Sequence, residues 1–419
     1  MIQPNILLLA FLVIFLTSTV CRWSLARLNR GHIRTHGHCI PEGFENLIDA
    51  KGLSQIASYT VDTSRFGSLA SLFNDAVLLA ILLSGVLPWF ADHVASLHLP
   101  FVLSALLFLA GPAALGFILD IPFDLYRIFT IERQYGFSTM NWKLWVSDTL
   151  KETAISLILA GIILGSFFAL ILYTPHTWWF WSWMLFGLFQ ILLLWLYPVI
   201  IAPLFNTYEP IRDDELRGKI VAMVERAGFR TRGIFQVDAG KRSRHTNAYF
   251  TGLGKSKRIV LFDTLLGSHS HDELLAVLAH EIGHWKKRHL LKQLLVVEMI
   301  SFAVFYGIYR LLGWNMLYHT FGFDQAIPYI GIFLLSALSG PVVFFLKPAG
   351  SIISRKHERE ADDYSIEFMG TAQPLMEALK RLAKDNLSNL HPHPVYAWFY
   401  YSHPSLPARI RRLQSLSGK

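Results

Sequence analysis

Seven stretches of this 419-residue chain are apolar over roughly the 18 to 25 residues needed to cross a bilayer. They lie at approximately 4–21, 70–90, 99–120, 155–174, 178–204, 290–314 and 329–346. In hydrocarbon every backbone N–H and C=O must be paired within the segment, so each run is expected to be a helix. Composition agrees: 53% of residues are hydrophobic, 16% are charged and the mean hydropathy is +0.38, well outside the range of soluble domains. The expected fold class is a mainly α, polytopic membrane protein with seven transmembrane helices.

The cations orient it. The connections 91–98, 175–177 and 316–329 contain no Lys or Arg, and of the 38 Lys and Arg only Arg310, near the end of the sixth run, falls on that side. Lys and Arg accumulate in cytoplasmic loops, which puts the N-terminus outside and the C-terminus inside. The first run lacks a preceding basic region and a small-residue cleavage site, and Arg22, Arg27, Arg30 and Arg34 follow it, so it is expected to persist as a span. The net charge of +8 thus has a topological cause, and no nucleic-acid partner is expected. Cys21 and Cys39 suggest no disulfide framework.

Composition divides the chain into residues 1–205, five spans with long inner loops at 23–69 and 121–154; residues 206–289, polar enough to fold in water; residues 290–350, a hairpin of two spans; and residues 351–419, a cytoplasmic helix and a basic helical tail. In the second part "RGIFQVDAG" and "RIVLFDTLL" read as short strands. Ser270 followed by Glu273 forms a capping box ahead of a helix, and Gly370 is the expected stop of a helix over 351–370. A small α+β element on the cytoplasmic side is expected.

The helix behind Ser270 contains "HEIGH". Residues four apart share a helix face, so His280 and His284 are placed to present two imidazoles to one ion, with Glu281 at the edge as a general base. A catalytic zinc wants a third protein ligand and an open position. The two-span hairpin returns the chain to the same side of the membrane, delivering Glu358, 74 residues beyond His284. Spacing does not choose among Glu358, Glu360 and His357. Asp362, one turn after Glu358, is placed to accept a hydrogen bond from a ligand imidazole. His289 lies about 140° away from the ligand face and reads as an interfacial residue. Glu298 returns to that face at membrane depth, where a carboxylate must meet protein or water; a continuous helix would aim it into an aqueous cavity. The basic cluster "KRSRH" (241–245) is expected to meet lipid headgroups or substrate. "GLGKS" (252–256) lacks the first glycine of a phosphate loop.

"LAHEIGHW" (278–285), "SRKHEREADDYS" (354–365), "HTNAYFTGLGKSKRIVLFDTLL" (245–266), "IERQYGF" (131–137), "IAPLFN" (201–206) and "YSHPSLPARI" (401–410) together resemble the type I CAAX prenyl endopeptidases, integral-membrane zinc metalloproteases. The resemblance runs over essentially the whole chain. It implies one zinc held by His280, His284 and Glu358, and Glu281 as general base. It also implies Asn247 and His403 as groups that touch the substrate backbone or the developing oxyanion, and Arg409 as receiver of a substrate C-terminal carboxylate. The implied fold is seven long helices enclosing a chamber. Site-2-type proteases differ, because their HExxH lies within a span, and the bacterial heat-shock membrane proteases have fewer spans.

The expected activity is zinc-dependent hydrolysis of peptide bonds near the C-terminus of prenylated CAAX-type or other membrane-associated substrates. The alternatives are a membrane-protein quality-control protease and, in another class, a metal-binding transporter without proteolysis. The expected partners are a peptide or protein substrate and the lipid bilayer; nothing in the residues speaks to oligomeric state. The lack of long insertions beside the metal helices leans toward a bacterial plasma membrane over the endoplasmic reticulum.

Overall fold

A computed structural model describes residues 2–251 and 257–417, so that the GLGKS stretch lies outside the described residues. The first half of the chain comprises α1 (Ile6–His36), α2 (Ala50–Leu83), the short α3 (Val86–Ser96), α4 (Phe101–Tyr126), α5 (Trp142–Tyr173) and α6 (Trp178–Leu196). Four strands follow, β1 (Tyr208–Pro210), β2 (Thr231–Val237), β3 (Ala248–Thr251) and β4 (Lys257–Phe262), with α7 (Asp214–Arg226) between the first two. Then come α8 (Asp263–Leu266), α9 (His271–Lys286), α10 (His289–Leu311), α11 (Asn315–Thr320), α12 (Pro328–Met369), α13 (Gln373–Asp385), α14 (Pro394–Tyr400) and α15 (Leu406–Ser417).

Seven of these helices are long and apolar enough to span a membrane: α1, α2, α4 with the π turn that continues it to Glu132, α5, α6 with its continuation to Leu204, α10 and α12. They are longer than their apolar runs. Hydropathy shows where lipid ends, whereas a helix runs on until a cap stops it. Asn5 and Asp49 accept from the backbone N–H of Leu8 and Gly52, so α1 and α2 take up most of the expected inner loop and leave only residues 37–49 as connection.

The spans form a wall. α1 packs on α2 and α12, α4 on α5, α5 on α6, α6 on α10 and α10 on α12, while the π turn after α4 meets α2; α4 also meets α12 across the ring, through Phe108 against Tyr329 and Phe333. At most 28% of any span's most apolar window is buried, too little for a solid seven-helix bundle in which each inner face is packed. A closed ring of helices with little buried on either face is a hollow barrel. One end of it is plugged by a core of Phe11, Phe108, Phe168, Trp178, Tyr318, Phe321 and Tyr329.

The opposite end carries the polar α+β element. Its sheet order is β1-β2-β4-β3, with β2 and β4 parallel and the other pairs antiparallel, so β3 is an edge strand. α7 and α9 cover the sheet through Ile220, Ile259, Leu261, Leu265, Leu278 and Ile282. Arg242 fastens it to the barrel: its Nε and Nη2 lie 2.7 and 2.9 Å from the carboxylate of buried Asp148 on α5, and Nη1 reaches Asn206 at 2.8 Å. Within the KRSRH cluster Lys241 pairs with Asp238 and His245 lies beside Glu132. Arg242 and His245 are therefore engaged with the barrel, and Lys241 with a local exposed carboxylate, where the sequence suggested contact with headgroups or substrate.

Two helix boundaries decide the site. α12 runs unbroken across residue 350, although a boundary was expected there, because the change from apolar to polar side chains marks the membrane surface and is not a stop signal. Its stop is Gly370, at φ 74°. Conversely, the segment that reads as one helix from 277 to 302 breaks at Arg288, which sits left-handed at φ 56°, ψ 37°.

Candidate metal site

Ser270 caps α9 in a full capping box with Glu273, and Glu273 also receives Arg381 of α13 at 3.1–3.3 Å. Burial alone would raise the Glu273 carboxyl, but the Ser270 backbone amide and the Arg381 guanidinium outweigh it and hold it below its ordinary value. The buried face of α9 lies on α12. The two approach closely at Gly283, where a β-carbon would sit 3.0 Å from Ala361 Cα and 3.1 Å from Tyr364 Cβ. Glycine therefore lets α9 and α12 come near enough for side chains on both to reach a common point.

That point is defined by three atoms. His280 Nε2 and His284 Nε2 are 3.2 Å apart, Glu358 Oε2 is 3.4 Å from the first and Glu358 Oε1 is 3.3 Å from the second. These three residues form the one His, Cys, Asp and Glu group with metal-ligand proximity among the described residues. A tetrahedral ion with bonds of about 2.0–2.1 Å needs ligand atoms about 3.3–3.4 Å apart, so the triangle fits.

Hydrogen bonding argues the same way. Asp362 Oδ1 lies 2.9 Å from His280 Nδ1, and a carboxylate only accepts, so the proton sits on Nδ1 and the Nε2 lone pair points inward. On the other side Glu360 Oε2 accepts from His289 Nε2 at 2.9 Å, which leaves His289 Nδ1 to accept from His284 Nδ1 at 3.0 Å. Both imidazoles thus aim lone pairs at one spot, and the buried Glu358 Oε2 has no donor aligned with it. Three acceptors facing one another without a donor are unfavourable unless a cation lies between them. Although burial would lower the His280 pKa, the neighbouring Asp362 and Glu358 carboxylates raise it, so the spot favours positive charge.

Glu360 and His357, the alternatives to Glu358, are engaged elsewhere: Glu360 on His289, and His357 stacked on the same ring at 4.1 Å. His289 is accordingly not interfacial but 3% exposed, because the turn at Arg288 swings α10 round and returns its first residue to α9. Sequence reading missed this pair, and a carboxylate two residues from Glu358 was its only trace. Glu298 is also reassigned. With the helix broken at Arg288 its face argument fails, and its carboxylate accepts from Gln190 of α6 instead.

Glu281 is half-buried beside His280. His403 is largely exposed, with Nδ1 2.8 Å from Glu358 Oε2. Asn247 is exposed at the start of the edge strand β3, which packs beside α9. Arg409 does not suit the role of receiving a substrate carboxylate. It is 7% exposed, its Nε and Nη2 both bond Asp362, and Nη1 lies 3.7 Å from Glu358, so its charge is already matched.

Two families cover the chain: residues 29–207 match "CAAX prenyl protease N-terminal, five membrane helices", and residues 210–417 match "Peptidase family M48". CAAX prenyl protease 1 of Saccharomyces cerevisiae is 34% identical over 409 residues, covering 91% of this chain and 89% of the relative. The Arabidopsis thaliana homologue is 32% identical with 91% of each covered, and the human homologue 27% with 96% and 95%. The crystal structure of S. mikatae Ste24p superposes with a TM-score of 0.91 at 30% identity, covering 98% of this chain and all of that one.

Proposed function

The chain belongs to peptidase family M48, in its CAAX prenyl protease branch, and from that premise we propose how its residues perform the hydrolysis and on what. It is a membrane metalloendopeptidase. The ion we propose is zinc, held by His280 Nε2, His284 Nε2 and a Glu358 oxygen. The observation that carries this is the 3.2–3.4 Å triangle of ligand atoms. When bound, such an ion polarises the scissile carbonyl as a Lewis acid.

The remaining chemistry belongs to side chains. Glu281 takes a proton from the water that attacks the carbonyl carbon and gives it to the departing amine nitrogen as the C–N bond breaks. His403 and Asn247 donate hydrogen bonds to the substrate carbonyl as its oxygen gains negative charge. The edge strand β3, adjacent to α9, offers unpaired backbone groups to an extended substrate, which binds by adding a strand. Asp362, itself held by Arg409, and the pair His289–Glu360 fix the tautomers of the two imidazoles.

We propose polypeptides with a C-terminal CAAX sequence bearing a prenyl group as substrates, presented from the bilayer to the barrel. The catalytic side faces the cytosol by the distribution of Lys and Arg, whether the membrane is a bacterial plasma membrane or the endoplasmic reticulum. The test is to purify wild type and Glu281→Gln in detergent, measure metal per chain, and assay a farnesylated CAAX peptide beside its unprenylated counterpart. One zinc in each protein with cleavage by wild type alone is expected, and the farnesyl group should raise kcat/KM. Equal cleavage of both peptides, or cleavage only of unfolded membrane proteins, would replace prenyl processing with quality control. Turnover by Glu281→Gln would sink the assigned base.

A further inference from the structure

Away from the metal, two cavities lie along the seam between α1 and α2. Arg27, Arg30 and Arg34 of α1 and Arg65 of α2, with His32 and His393, line a cavity of about 1050 Å³ into which no Asp or Glu projects. Trp23 lines both this cavity and a second one of about 520 Å³, which runs toward the apolar part of α1 past Val20, Ala26, Gly67, Leu72 and Tyr400. The cleft is open: a β-carbon on Gly31 or Gly67 would meet nothing within 4 Å.

The cations here are uncompensated. Arg22, deeper in α1, pairs with Asp75 at 3.3 Å, and Arg30 is anchored by Ser64 and Ser68 at 3.1 and 2.9 Å. Among the described residues no carboxylate pairs with Arg27, Arg34 or Arg65, and Arg27 lies 5.2 Å over the Trp23 ring. Like charges brought together on facing helices repel unless an anion sits among them. The apolar run of α1 ends at Cys21, so the narrower cavity straddles the membrane boundary and the basic one lies just beyond it. A molecule with an anionic head and an apolar tail matches both in order.

We propose that this cleft binds one anionic phospholipid, its phosphate among the four arginines and an acyl chain in the groove beside Trp23 and Leu72. Arginines that merely sit in the headgroup layer bind many lipids weakly, whereas a built cleft saturates with one and depends on its shape as well as its charge.

Full-length protein in detergent is titrated with phosphatidylserine or phosphatidylcholine, and native mass spectrometry counts lipids per chain. Wild type should retain one phosphatidylserine with a preference of about ten-fold or more over phosphatidylcholine, weakening with salt. R27Q/R34Q/R65Q should abolish the preference. Gly67→Leu, which keeps every charge, fills the groove and improves helix propensity, should also lose the retained lipid. Metal content and peptide cleavage should be unchanged in both variants, showing that they fold. Equal retention of the two lipids, no saturation at one, or full retention by either variant would overturn the proposal. So would binding of glycerophosphoserine as tight as that of the whole lipid, or displacement by an acidic peptide, since either assigns the cavity to a tail-less anion.

Discussion

Replacing His289 by Phe tests whether a residue that touches neither ion nor substrate sets metal affinity. Phe keeps the volume and the stacking on His357, which lies 4.1 Å away and nearly parallel, and removes both ring nitrogens. Glu360 tolerates the loss, being 30% exposed with Lys292 and Lys356 each 4.0 Å away. His284 does not. Its Nδ1–H loses its acceptor, and an unsatisfied buried donor costs about 1–3 kcal/mol. The His284 side chain is 25% exposed, so water recovers part of this, but the ring is then free to rotate or to place its proton on Nε2. Loss of such an outer partner typically lowers metal affinity about 10- to 100-fold, or roughly 1.4–2.8 kcal/mol. Competition with a chelating indicator, run on metal-free protein, reads this directly and independently of turnover. His289→Phe binding zinc within a factor of about two of wild type would refute the reasoning, and His284 would then be held by packing alone.

Three further outcomes follow from the same geometry. Gly283→Ala should lower stability by about 1–3 kcal/mol and weaken metal binding, because the new methyl meets α12 at 3.0 Å and pushes Glu358 away; thermal unfolding and the chelator assay check both. Asp362→Leu leaves Arg409 buried with only the 3.7 Å contact to Glu358, a loss of up to about 3–5 kcal/mol, whereas Asp362→Leu with Arg409→Met should recover most of the stability but not the metal affinity. For pH, the Glu273 carboxyl is depressed on folding, so its contribution is full above the unfolded value near about 4.3 and is lost as pH falls through the lower folded value. The gap in unfolding midpoint between wild type and Glu273→Gln should therefore shrink on acidification from neutral pH; an unchanged gap would mean the carboxyl is not depressed on folding.

The seven spans, the capping box and the stop at Gly370 were all readable from the chain, because each depends on properties local in sequence: hydropathy and cap chemistry. The lengths of α1, α2 and α12 were not, since lipid contact and helix continuity are different quantities and hydropathy reports only the first. Strands β1 and β3 are three and four residues long, too short for alternation to register. Arg409 shows a different limit. The family resemblance implied an anion receptor at Arg409, but the fold brings buried Asp362 to it, and only three-dimensional proximity distinguishes a free cation from a matched one.

The close succession of metal motif and span, HEIGHWKKRH followed by apolar residues, has a physical cause in one residue. Were the helix continuous through Arg288, His289 would point about 140° from the ligand face and Glu298 would share that face. The left-handed turn at Arg288 breaks the register, so α10 restarts with His289 folded back onto His284 while its apolar length departs into the bilayer beside α6. The same break frees Glu298 to find Gln190 across the α6–α10 seam. A non-glycine residue in that conformation is uncommon and is kept when the surroundings over-determine it; here they do, through the His284–His289–Glu360 chain on one side and membrane insertion of α10 on the other. The motif therefore stands at the membrane surface because the first residue of the span is also the hydrogen-bond partner of His284.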